Sequence, residues 1–444
     1  MGFLKNIFGS NEDEKKMVVL GLDGVPFTFI DRIIKEGRMP NFKSLLDKGL
    51  FKKMNSVLPT ISSVAWSSFM TGEDAAGHNI FGFIDRKADP FNLFVPTAKD
   101  MKSPTIWDKL SKMEQKSVVM NVPVTYPPQE INGVLVSGFL ATDITKATYP
   151  EEIADELKGM DYVIDADTWT ARDSKDKFLN ELNYALERRF KTMFKFLEEK
   201  EWNYFQCHIM ETDRINHFYW GDMVDEDPDF ADRFYKFYEK IDDYIGQLIE
   251  RLDDDTELII LSDHGFCKTK KEVQLNYWLE EEGYLKYDKD EVESVADMAP
   301  ESKAYSLLPG RIYINLKGRE EMGSVSQKDY KNLRKEIRAG LLDLEDEETG
   351  QKIIDQVFYR EEIYEGPNLE QAADLIAIPH EGYDLKGKID QDSLLEDGFI
   401  QGMHTYDDAF VYVRDNKQER LADNFRGITN IKDVHQLIMN HFEE

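Results

Sequence analysis

MVVLGLDG, residues 17–24, decides the fold. Residues 17–22 run apolar without a polar break and stop at Asp23-Gly24. That is the pattern of a parallel strand buried on both faces with a carboxylate at its end. The theme returns in SVVMNV (117–122), GVLVSG (133–138), YFQCHIM (204–210) and ELIILS (257–262). Helical periodicity fills the intervals, at 28–36, 40–48, 174–200 and 228–252. Strands alternating with amphipathic helices predict an α/β fold, a doubly wound and mostly parallel sheet with helices on both faces. A helix is also expected to start at Ser62 or Ser63, in SSVAWSSFM, and VHQLIMNHF (434–442) to close the chain as another.

Composition shifts after residue 272. Residues 281–306 and 317–350 are strongly charged, with one strand signal, RIYINL (311–316), between them. The chain therefore divides into a polar leader (1–16), a core (17–272 plus 361–444) and an inserted α+β cap (273–360). ADLIAIP (373–379) and DAFVYV (408–413) are expected to rejoin the core sheet.

A hydrophobic fraction of 41% and an aromatic fraction of 12% are those of a globular chain. The 55 basic against 86 acidic side chains give a net charge of −31, which repels nucleic-acid phosphates and argues against a duplex partner. No apolar run approaches the roughly 20 residues of a membrane-spanning helix. The start lacks the features of a signal peptide, and Cys207 and Cys267 are too few for a disulfide framework. A cytoplasmic protein with a small-molecule substrate and no membrane partner is the expectation.

Where the acids and histidines fall is more informative. Asp23, Glu211 with Asp213, and Asp263-His264 each come directly after a strand. In open parallel sheets ligands bind at the carboxyl ends of strands, so these segments converge on one cleft. Asp213 and His217, four apart, share a helix face and can reach one metal. Such Asp/His sets suit zinc, or manganese. In LPTISSVAW a hydroxyl at the first helical turn can serve as nucleophile beside backbone N–H groups that bind phosphate oxygens. Helix capping is the commoner use of serine there. On the residues alone Thr60, Ser62 and Ser63 stand level. His404, in QGMHTYDD, reads as a histidine in a Gly-flanked loop before a strand. His208 reads as a hydrogen-bonded core residue, and His380, His435 and His441 have no partner pattern. Glu211 can orient a ligand or start its helix.

Taken in order, GLDG (21–24), PTISSVAW (59–66), TGEDAAGH (71–78), METDRINH (210–217), LSDHGF (261–266) and GMH (402–404) resemble the alkaline phosphatase superfamily. The likeness is to its type I phosphodiesterase/nucleotide pyrophosphatase branch, in particular the predicted phosphohydrolase/phosphomutase group. It covers nearly all of the chain after residue 17. The resemblance implies an alkaline phosphatase-like core and two divalent ions, zinc first and manganese second. Asp23, Asp263 and His264 would hold one ion together with the Ser62 oxygen; Asp213, His217 and His404 would hold the other. It selects Ser62 as the nucleophile, four residues before Trp66, and gives His78 a structural or supporting role.

The nucleotide pyrophosphatases carry an asparagine where this chain has Ala65, which weakens the case for nucleotide diesters. Arg86, Lys303 and Arg311 are the candidates to replace it. The sulfatase signature is absent. The implied activity is metal-dependent cleavage of a phosphate ester through a phosphoseryl intermediate. The alternatives are a phosphomutase on the same site, or a binding protein that kept the fold without catalysis.

Overall fold

The computed structural model describes residues 15–289, 291–414 and 425–443. Most of the polar leader, residues 1–14, lies outside these. The first strand, Met17–Leu22, takes the middle of an eight-stranded sheet. Tyr204–Ile209 and Glu257–Leu261 pair with it in parallel on either side. Ser117–Met120 and Gly133–Val136 continue the parallel run. Antiparallel strands close both edges: Ala409–Arg414 and then Gly49–Met54 on one, Thr148–Tyr149 on the other.

The unbroken apolar run follows from cover on both faces. Val18, Leu20 and Leu22 join a core with Phe29, Phe178 and Phe237, under the helices Phe27–Lys35, Lys175–Glu199 and Ala231–Arg251. Met17 and Val19 face the other way, into a core with Trp66, Leu110 and Ile438 under Ser62–Thr71, Ile106–Lys112 and Val434–Glu443. Each such side chain contributes about 1.5–3 kcal/mol by leaving water. Gly21 interrupts the large residues for a packing reason. A Cβ there would lie 2.4 Å from the Trp66 ring, so the glycine lets that helix approach the strand.

A second sheet stands apart from the first, in the order Ala304–Leu307, Arg311–Ile314, Leu375–Pro379 and Ile354–Tyr359, all antiparallel. The helix Gln327–Asp343 packs on it. Leu375–Pro379 was expected in the main sheet and is not there. Its Leu375, Ile376 and Ala377 share a core with Ile312, Ile314 and Ile337 instead. Buried Asp374, just ahead, accepts hydrogen bonds from the Ile314 N–H and Arg319. An apolar run reports that a strand is buried, not which sheet buries it. Among the described residues no helix is long and apolar enough to cross a membrane.

Candidate metal centre

Three adjacent strands of the main sheet end side by side, and their carboxyl ends deliver Asp23, the Glu211–Val224 helix and Asp263-His264 to one place. Ser62 arrives from across the cleft as the first residue of its helix. Ile61, extended at φ −154°, occupies the N-cap position, so the Ser62 hydroxyl is not spent on capping. Its Oγ lies 3.1 Å from Asp23 Oδ1 and 3.2 Å from His264 Nε2. The two neighbouring hydroxyls are placed otherwise: Thr60 Oγ1 donates to the Val57 carbonyl, and Ser63 Oγ is buried with no hydrogen-bond partner among the described residues.

Asp23 is fully buried and held from several sides. Its Oδ2 accepts from Trp66 Nε1 at 3.0 Å and from His208 Nε2 at 2.7 Å, which leaves Oδ1 for Ser62 and for His264, 3.5 Å away. Asp263 Oδ1 accepts the Gly24 N–H at 2.9 Å, while its Oδ2 sits 3.3 Å from His264 Nε2. Gly24 itself has φ +67°, and a Cβ there would press on Phe266 and His264.

His404 sits in a strand rather than a loop. Gly402–Thr405 pairs antiparallel with Gly265–Lys268, the strand that follows His264, in a register that sets His404 opposite Phe266. This ribbon stacks the His264 and His404 rings with centroids 3.7 Å apart. It also brings His404 Nε2 to 3.3 Å from Asp213 Oδ1 and 3.0 Å from His217 Nε2. Asp213 and His217, one turn apart on their helix, are 3.4 Å from each other.

The tautomers follow from the outer hydrogen bonds. Nδ1 of His217, His264 and His404 each donates to a carbonyl, of Gly402, Gly265 and Thr60 respectively. All three Nε2 atoms therefore turn lone pairs inward, the arrangement of metal-ligating histidines. Two lone pairs 3.0 Å apart cannot bond each other. Asp213 Oδ1 and Asp263 Oδ2 are buried with no hydrogen-bond partner among the described residues. A divalent cation satisfies both conditions, and this donor set fits one.

The charges agree. Burial alone would push Asp23 up, but the hydrogen bond and charge of His208 outweigh it and hold its carboxyl below the usual range. Asp213 is likewise lowered against its burial, by His217, His404 and Arg214. Burial and then the charges of Asp23 and Asp213 push Asp263 well up. His264 is driven down to about 3 and His217 to about 4, chiefly by burial, so both are neutral near pH 7. The centre is a set of crowded acids and neutral imidazoles that added positive charge would relieve. Two groupings lie within 4.8 Å: Asp23, Asp263 and His264, and Asp213, His264 and His404.

Other singled-out residues serve elsewhere. Arg86 pairs with buried Glu320 over the Tyr313 ring, Arg311 binds Asp85 and the Ile84 carbonyl, and Lys303 lies over Tyr284. These three candidates to replace the missing asparagine have their partners within the second sheet and its surroundings. Glu211 forms a buried pair with Arg189 at 3.0 Å. His208 bonds Asp23, a tie not legible from its own strand, and Arg214 was not singled out at all. Its Nη1 lies 3.0 Å from Asp213 Oδ2.

His78 is structural and gives the fold a pH dependence. Its Nδ1 accepts the Ile80 N–H at 3.1 Å, so the ring donates from Nε2 to Ser68 at 3.0 Å. Burial, then the charge of Lys432, lowers its pKa from 6.5 to about 3. The unfolded chain takes up a proton that the folded chain refuses. The contribution of His78 is thus complete above pH 6.5 and lost as the pH falls toward about 3. Thermal melts of metal-free protein should fall in midpoint from about pH 6.5 to about pH 4, and less steeply in His78→Gln.

Beyond His217 and His404 opens a cleft of about 780 Å³. Leu58, Ile61 and Phe83 line it together with Phe358, Ile376 and Ile378 of the second sheet. Its charged lining is mostly acidic, with Asp355, Glu381, Asp384 and Asp407 against Lys386.

The profile of the type I phosphodiesterase/nucleotide pyrophosphatase family matches residues 17–407. Among solved structures, phosphonoacetate hydrolase from Sinorhizobium meliloti 1021 in complex with phosphonoacetate is similar over 96% of both chains, at 16% identity and a TM-score of 0.66. An inactive form of murine ectonucleotide pyrophosphatase/phosphodiesterase 5 with AMP aligns over 97% of this chain and 95% of that one, at 14% identity and a TM-score of 0.58. At such identities the likeness is one of fold. No curated protein sequence matches.

Proposed function

The chain belongs to the type I phosphodiesterase/nucleotide pyrophosphatase family and is a phosphoric ester hydrolase, and from that premise we propose that Ser62 is its nucleophile. The reading is carried by one observation: Ser62 Oγ stands 3.1 Å from Asp23 and 3.2 Å from His264, at a helix start, with its capping role taken by Ile61. Asp23, Asp263 and His264 would hold one divalent cation and Asp213, His217 and His404 a second. Bound there, the cations supply positive charge that favours the serine alkoxide and offsets charge on the leaving oxygen.

The chain's own groups do the rest. Ser62 Oγ, its proton passed to water, attacks phosphorus in line with the leaving oxygen, forming the Oγ–P bond as the P–O bond to the leaving group breaks. That oxygen takes a proton from water. The N–H groups of Ser62 and Ser63, which open the Ser62–Thr71 helix ahead of those that bond the Ile61 carbonyl, would serve the developing charge. Asp23 is kept from turning by Trp66 and His208, so the distance to Ser62 is set before substrate arrives. A water molecule then attacks the phosphoserine, releasing phosphate and restoring the hydroxyl. The unit of residues 273–360 acts as a cap, and its sheet, completed by Leu375–Pro379, forms one wall of the leaving-group cleft.

An apolar, net-acidic cleft disfavours an anionic leaving group, and Ala65, in place of asparagine, offers no amide to a non-bridging oxygen of a nucleotide diester. Aryl and alkyl phosphates should be cleaved at least about tenfold faster than nucleotide diesters, with activity lost to a chelator and restored by zinc or manganese. A steady-state panel of p-nitrophenyl phosphate, its bis-ester, an alkyl phosphate and a dinucleotide checks this. Faster turnover of the dinucleotide, or chelator-resistant activity, would sink the reading.

A further inference from the structure

We propose that Arg214 binds the phosphoryl group of the substrate and selects the dianion of a phosphomonoester over a diester, an inference that rests on the phosphoester reading above. Arg214 directly follows Asp213 on its helix, and its side chain doubles back so that Nη1 donates to Asp213 Oδ2 at 3.0 Å. The opposite carboxylate oxygen, Oδ1, faces His404 at 3.3 Å and His217 at 3.4 Å. The guanidinium thus stands one carboxylate away from the point where the Asp213, His217 and His404 donors meet. Its charge also reaches Asp23, on the Ser62 side of the centre.

The plane of the group is fixed in advance. Asp165 takes Nε and Nη2 in a fork at 3.1 and 2.6 Å, and Phe139 lies under the guanidinium at 5.1 Å. Phe139 in turn packs edge-on against Phe83, which lines the cleft. Arginine has five N–H donors. Asp165 and Asp213 use three of them, and the remaining two have no acceptor among the described residues. The side chain is not sealed off, with 12% of its surface exposed.

A counter-ion for Asp165 and Asp213 is the plain alternative. It accounts for three N–H groups and leaves two donors without an acceptor among the described residues, on a guanidinium held against the carboxylate that faces His217 and His404. Fixed guanidinium donors recognise phosphate oxygens well because the bonds are charge-assisted and directional. A monoester dianion presents a third non-bridging oxygen to such a group, whereas a diester presents an ester oxygen with little charge. Arg214 therefore does from another helix what a side chain at Ala65 cannot.

The test compares parent, Arg214→Ala and Arg214→Lys, each zinc-loaded and with its metal content measured. In Arg214→Ala, kcat/KM for p-nitrophenyl phosphate is expected to fall about 100-fold, and for the bis-ester less than about fivefold, at unchanged metal content. Lysine should recover part of the monoester activity without changing the diester. Calorimetry with inorganic phosphate should show a matching loss of affinity, a readout that needs no turnover. Equal losses on both esters, unaltered phosphate binding, or loss of metal with the arginine would each overturn the proposal. Should the alanine variant fail to fold, the monoester-to-diester ratio in the lysine variant decides alone. A parent inactive on all esters would count against the hydrolase reading, while the phosphate titration would still judge Arg214.

Discussion

Ser62→Ala should lower phosphoester turnover by at least about a thousandfold while leaving the fold and the bound metal in place. The separation is sharp because of where the hydroxyl sits. It caps no helix, since Ile61 holds the N-cap position, and among the described residues its hydroxyl's hydrogen-bond partners are Asp23 and His264. Alanine in the first turn is a good helix former, so the Ser62–Thr71 helix loses nothing by the change. The thermal midpoint should stay within a degree or two of the parent, as for a substitution that removes no packing or cap. Asp23 would keep its bonds to Trp66 and His208. Activity close to that of the parent would remove Ser62 as nucleophile and turn attention to an activated water.

Asp213→Asn should be nearly as damaging to activity, for a different reason. The substitution keeps the shape of the side chain but removes the charge that faces His217 and His404 at 3.4 and 3.3 Å. An amide is a poor ligand for zinc, and two neutral imidazoles alone bind it weakly. Metal analysis should find about one ion per chain in place of two, with turnover down by about a thousandfold. Asp165 still holds Arg214 in its fork, so local structure should survive. Retention of two ions per chain would show that Asp213 is a partner of Arg214 and not a ligand.

How much of this was legible in the sequence depends on the kind of information each residue carries. The main sheet was, because strands buried on both faces leave unbroken apolar runs. The carboxylates after Leu22, Ile209 and Leu261 could be grouped because parallel strands put their carboxyl ends on one edge. The Asp213–His217 pair followed from helix geometry alone. His404 was not readable this way. Its place depends on the register of the ribbon with Gly265–Lys268, formed across more than a hundred residues, and only the family resemblance pointed to it. Leu375–Pro379 failed for a related reason, since its apolar pattern suits either sheet. Arg214 lay inside a quoted motif and carried no signal of its own. An arginine on an exposed helix face and one folded back onto a carboxylate have the same sequence. Buried partners such as His208 with Asp23 are likewise a matter of which strands are neighbours, which pattern reading leaves open.

The central claim is that six side chains hold two divalent cations around Ser62, and anomalous diffraction from crystals grown with zinc tests it most directly. The account predicts two peaks. One should lie at about 2.0–2.2 Å from oxygens of Asp23 and Asp263 and from His264 Nε2, the other at the same range from Asp213, His217 and His404. A single peak shared by Asp213, His264 and His404, the other grouping that these atoms allow, would contradict it, as would peaks away from Ser62 altogether.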